Sequence, residues 1–208
     1  MFRQGAADQI YLAKLLSSQM QELDLESETI LLNPEKINYI GHSHGGEVGA
    51  IALPFMGKYL DSAVLSGAGG GLSITLMERE MGTAGLSIEE LLSSAIQLSP
   101  NEELSPFHPM IGLVQMLAEV TDPVNYAPYW FTEAGYWRQE PLSVLMTEGL
   151  TDEHTPPESI EIMAAAARIP IIGTSHSINS AQEILGHSET FTAQMNREAF
   201  DQSEITAG

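Results

Sequence analysis

Three residue types able to carry acyl chemistry occur in a telling order. Ser43 lies in Gly41-His42-Ser43-His44-Gly45, Asp152 in Gly149-Leu-Thr-Asp152, and His176 and His187 follow. A serine hydroxyl is a weak nucleophile until an imidazole takes its proton and a carboxylate holds that imidazole in the right tautomer. Ser43 is the candidate nucleophile and Asp152 the candidate carboxylate, in the order Ser…Asp…His. Glu148 and Glu153 are fallback acids. His154 is too near Asp152 in sequence to be its partner and reads as a loop residue, as does His108 between Phe107 and Pro109.

The base is less well defined. Spacing favours His176 over His187, but the neighbourhood Gly173-Thr-Ser-His176-Ser-Ile-Asn-Ser reads as a surface loop. A general base must be held within about 3 Å of the serine oxygen, which takes a rigid element behind it. On this ground the expected place of the histidine is beyond residue 208, with His176 the best candidate within the chain.

The elements that must position these residues are legible around Ser43. A β-prone run, Ile37 to Ile40, enters the motif, and a small-residue helix from Gly46 to about Leu53 leaves it. Strand, sharp turn and helix put the hydroxyl at an apex, with the His44 backbone N–H facing the oxyanion formed on attack. Side chains at Gly41 and Gly45 are expected to clash with the neighbouring strand and helix. The competing interpretation is a Gly-rich turn between two packing elements.

Residues 5–23 predict an amphipathic helix, with Asp8 near its start suited to the helix dipole. An acidic connection over 24–35 follows, turning at Asn33-Pro34. Ser62–Ser66 is the next strand; it ends in Gly67-Ala-Gly-Gly-Gly71, where the backbone must pass close to something. A phosphate-cradling loop is excluded, because no Lys-Ser/Thr follows at the required spacing. Residues 72–137 predict helices (87–98, opened by a Ser87/Glu90 capping box, and 110–120) separated by Pro- and Asn-containing breaks. Their apolar and aromatic side chains, among them Met110, Met116, Tyr126, Tyr129, Trp130, Phe131, Tyr136 and Trp137, suit core packing. They also suit a helical cap over Ser43 that lines an acyl pocket, with Trp130 setting chain-length preference. Pro141–Glu148 is the third strand, Pro156-Pro157 opens a helix over 158–167, and Ile169–Ile172 is a possible fourth strand.

The 208 residues, 43% hydrophobic, suffice for one domain spanning 1–208, with the 72–137 insertion inside it. A net charge of −20, from 28 acidic and 8 basic side chains, disfavours nucleic acid and anionic membrane as partners. Without cysteine there is no disulfide or thiolate chemistry. No apolar run is long enough for stable membrane insertion, and the start lacks a signal-peptide core. No His/Asp/Glu cluster has metal-ligand spacing, and no organic cofactor is implied.

Taken together, the Gly41–Gly45 turn, the strand at 62–66 and Gly149-Leu-Thr-Asp152…Pro156-Pro157 resemble the serine esterases and lipases of the α/β-hydrolase superfamily. Phe2-Arg3-Gln4, Gly67–Gly71, Thr121-Asp-Pro-Val-Asn-Tyr126 and Asn196…Thr206-Ala-Gly208 look like a group of large bacterial secreted or surface lipases. The resemblance implies an α/β fold, a mostly parallel eight-stranded sheet with helices on both faces, of which this chain would hold a part. The first four strands, and the loop supplying the second oxyanion N–H, would lie outside it, and the isolated chain would be a poor esterase. The implied activity is hydrolysis of a carboxylic, lipid-like ester without cofactor, at a secreted or cell-surface location. An acyltransferase or serine peptidase using the same turn, or a non-catalytic module of the same fold, are the alternatives.

Overall fold

The computed structural model describes residues 1–18, 21–78, 93–94, 98–99, 102, 104–105, 107–131 and 142–169. Helix α1 (Phe2–Ser18) leads into a hairpin of β1 (Gln21–Asp24) and β2 (Thr29–Leu32). Then come β3 (Asn38–His42), α2 (His44–Met56), β4 (Ser62–Ser66) and α3 (Leu72–Glu78). Helix α4 (Pro109–Ala118), short 3-10 turns over 119–129, β5 (Ser143–Thr147) and α5 (Pro157–Ala167) complete the described elements.

Strands β3, β4 and β5 form a parallel sheet in that order, with Tyr39, Ala63 and Val144 in one row and Gly41, Leu65 and Met146 in another. A parallel strand buries its side chains against crossover helices, and here one face does so. Ala63 and Leu65 are buried with Ala50, Leu53 and Met56 of α2 and Met163 and Ala167 of α5, and Val144 and Met146 pack against them. Side chains alternate across a strand, so the other face carries the row Ile40, Val64, Leu145. Ile40 is 77% and Leu145 55% exposed.

Helix α2 explains the glycines. It is apolar nearly all round, as a helix sandwiched between layers must be, and it lies close enough to β3 that side chains there are excluded. A Cβ on Gly41 would sit 2.8 Å from Gly45 O and Gly46 Cα, and one on Gly46 2.5 Å from Ala68 Cβ. The Tyr39 ring fills the space over Gly41 and Gly49, and its hydroxyl donates to Gly45 O at 2.6 Å. Gly45 itself departs from the expectation: a Cβ there would meet nothing within 4 Å. It lies in the first turn of α2 with its Cα facing away from the strand, and the steric demand falls on Gly46.

Pro54 inside α2 has no N–H, so the Ala50 carbonyl four residues earlier lacks its helical donor. The indole N–H of Trp130 donates to it at 2.9 Å. Trp130 is 2% exposed and belongs to the main core. That burial matches the core-packing alternative given for Trp130 in place of the chain-length role. Its ring is a buried anchor holding the insertion to the helix that follows Ser43.

Other boundaries moved. The first helix ends at Ser18, and Leu23 lies in β1, paired with Ile30. Alternating Leu23, Leu25, Ile30 and Leu32 around Glu26-Ser27 favour a hairpin over the expected acidic connection. Because α1 begins at Phe2, Asp8 lies past its first turn and accepts a hydrogen bond from Gln4 instead of meeting the dipole. The described part of 72–131 holds helices and 3-10 turns joined by irregular residues, with no strand among the described residues. Most of the expected 87–98 helix, Tyr136, Trp137 and residues 170–172 lie outside the described residues.

Candidate active site

The three parallel strands end in one row, His42, Ser66 and Thr147. The loops after them are stapled sideways. Ser43 N–H donates to Ser66 O at 2.9 Å, and Gly67 N–H to Thr147 O at 3.0 Å. Ser43, Gly67 and the loop bearing Asp152 thus leave the same edge of the sheet, where open α/β sheets collect their sites.

Ser43 has φ 50° and ψ −127°, a conformation that costs a residue with a side chain about 1–3 kcal/mol. The surroundings over-determine it. Its N–H is fixed to β4, and its carbonyl accepts the first helical bond from Glu47 N–H at 3.1 Å. Its side chain is exposed. His44 is the first residue of α2, so its N–H has no intrahelical acceptor, as at any helix N-terminus, and it makes no hydrogen bond among the described residues. The His44 ring stands edge-on to Phe2 of α1, centroids 4.6 Å apart, with Nδ1 3.3 Å from Glu47 Oε2.

Asp152 lies in a turn closed by its own N–H on Gly149 O. Its Oδ1 accepts the N–H groups of His154 at 2.9 Å and Thr155 at 3.0 Å. Burial pushes its pKa up. The bonds from Thr155 and His154, with the positive potential of the His154 and His42 imidazoles, outweigh that and hold the carboxyl below its ordinary value. A carboxylate kept ionised just beyond the carboxyl end of a sheet strand can orient an imidazolium.

The glycine run beside it is the close approach expected from the sequence. Gly69 lies against Ser159 and Thr155 at the start of α5, Gly70 against Val124, and Gly67 and Gly71 have φ of 55° and 67°. Two groups missed in the sequence hold this region. Tyr39 fastens the strand to the helix after Ser43. Asp122, wholly buried, accepts Gly71 N–H (2.9 Å) and Leu72 N–H (2.8 Å) from the loop after β4. It also accepts Val124 N–H (3.1 Å) and Gln115 Nε2 (2.8 Å) from the insertion. The signal was the Asp122-Pro123 pair at the start of a turn.

Of the remaining titratable groups, Glu153 is exposed and Glu148 half-buried. His154 is an exposed loop residue, as expected. His108 caps α4, its Nδ1 accepting Met110 N–H at 3.2 Å. His176 and His187 lie outside the described residues. Among the described residues no group of three His, Cys, Asp or Glu side chains could hold a metal ion, and no helix is long and apolar enough to cross a membrane. No protein-family model, characterised protein or solved structure matches this chain.

Proposed function

We propose that this protein is a serine hydrolase of carboxylic esters, of the α/β-hydrolase kind, acting through an acyl-enzyme. Ser43 Oγ attacks the ester carbonyl while an imidazole takes its proton; His176, His187 or a histidine beyond residue 208 would serve. Asp152 orients that imidazole, and the His44 N–H donates to the oxyanion, as half of its hole. The imidazole then returns the proton to the leaving alcohol, and a water it activates cleaves the Ser43 ester.

The observation that carries this reading is the backbone of Ser43. A side-chain-bearing residue is held at φ 50° between a parallel strand and a helix N-terminus. Strain of this kind persists where the hydroxyl must project. A lipid-like acyl group is supported by α4, which bears no charged residue and exposes Met110, Leu113 and Leu117 along one side.

The test is covalent labelling with a fluorophosphonate, read by mass spectrometry on the intact protein and on Ser43→Ala. The expected result is one adduct on Ser43, lost in the variant, together with cleavage of a p-nitrophenyl ester. An unlabelled Ser43 would leave the glycines and strain as packing devices of a non-catalytic module. Labelling with acyl transfer to an alcohol or cleavage of an amide, in place of ester hydrolysis, would move the reading to the acyltransferase or the peptidase.

A further inference from the structure

Two histidines flank Ser43, and the chemistry above uses only the backbone of the second. His42 ends β3 with its side chain exposed, on the sheet face away from α2, since Gly41 beside it points into that helix. Gly67 leaves β4 at φ 55°. A Cβ on Gly67 would lie 3.6 Å from Asp152 Oδ2, 3.6 Å from His42 Cε1 and 3.8 Å from His42 Nδ1. Imidazole and carboxylate therefore both border the space that a Gly67 side chain would occupy, and the glycine leaves that space open.

The two oxygens of Asp152 are not equivalent. Oδ1 holds the N–H groups of His154 and Thr155. Oδ2, on the Gly67 side, receives no hydrogen bond among the described residues. It is the oxygen left to orient a base, and no donor among the described residues holds it. The titratable neighbours that act on the carboxylate are His154 of its own loop and His42 of β3.

We propose that His42 is a positioning residue for Asp152. Standing across Gly67 from Oδ2, its imidazole fixes the direction in which that oxygen is offered to the base. The proposal rests on Asp152 being the carboxylate of the site. His42 touches no reacting atom; it acts through Asp152.

The test compares wild type, His42→Ala, His42→Asn, Asp152→Asn and the His42→Ala/Asp152→Asn double variant, with a p-nitrophenyl ester as substrate. His42→Ala should lower kcat roughly tenfold while KM stays within about twofold, as expected for lost orientation and not lost binding. His42→Asn should restore most of the rate, because its amide nitrogen falls near the place of Nδ1. In the Asp152→Asn background, His42→Ala should change nothing further. A full kcat in His42→Ala overturns the proposal, and so does an equal loss in both backgrounds, the mark of a merely structural role. A readout free of turnover separates this from the activity itself: the Asp152 carboxyl carbon followed by NMR against pH. His42→Ala should move that titration upward, because a favourable positive charge is gone. An unmoved titration overturns the pairing. A moved titration in a wild type that cleaves no ester would sustain the pairing and sink the esterase.

Discussion

At Ser43 the backbone itself can be interrogated. If φ 50° is strain held by the β4 staple and the first bond of α2, a glycine there relaxes it. Ser43→Gly should then be more stable than Ser43→Ala by about 1 kcal/mol in denaturant melts, although both lose the hydroxyl. Equal stabilities would remove the strain on which the functional reading rests. The neighbouring glycines divide just as sharply. Gly46→Ala should cost about 1–3 kcal/mol through overpacking on Ala68, whereas Gly45→Ala should stay within about 1 kcal/mol of wild type because its Cβ finds open space. Asp152 adds a pH signature. Its folded-state pKa lies below the ordinary 3.8, so its contribution is present above about pH 4 and is lost as pH falls through the lower folded value. The stability gap between wild type and Asp152→Asn should therefore narrow below pH 4, measured by melting across pH 2–6. A gap independent of pH would show that the carboxylate gains nothing from its partners.

Between elements, two buried side chains, Trp130 and Asp122, join the insertion to the sheet layer, and each answers a need that local sequence hides. Pro54 is easily read as the end of a helix; that α2 runs through it to Met56 depends on Trp130, far along the chain, supplying the donor for Ala50. Trp130→Phe keeps the ring but strands that carbonyl. We expect a loss of about 1–3 kcal/mol and an unchanged ratio of long- to short-chain ester turnover. A changed ratio at unchanged stability would restore Trp130 to the acyl pocket. Asp122→Asn turns one acceptor into a donor facing the Leu72 and Gln115 N–H groups. A similar cost of about 1–3 kcal/mol is expected, with faster hydrogen exchange at the Gly71 and Leu72 amides. What was legible in the sequence follows the same division. Ser62–Ser66 was readable to the residue and α5 to within one, because flanking turn residues and apolar runs mark short strands and helices locally. The β1–β2 hairpin, the anchoring role of Trp130 and the buried Asp122 were not, because each depends on a partner distant in sequence or across a tight turn. Gly41 was readable from the Gly-x-Ser-x-Gly pattern. Gly45 matched the same pattern, yet the steric requirement belongs to Gly46, since only the helix phase decides which glycine faces the strand.

For the molecule as a whole, the pairing of β4 with β5 sets a timetable. Ser66 and Thr147 lie side by side, yet residues 67–142 separate their two strands along the chain. The α1–α2 packing and the β3–β4 pairing close over short stretches, whereas the β4–β5 ladder must first close a long loop, whose entropy is lost before any contact repays it. Ser43 can thus take its place on the early half of the sheet while Asp152 is still far away. The bond from Gly67 N–H to Thr147 O, and the approach of Asp152 to Gly67, come only with the late strand. On a refolding time course, competence to be labelled at Ser43 would lag behind the formation of helix. A destabilised insertion would lengthen that lag, because the insertion is the loop that must be gathered in before the two halves of the site can meet.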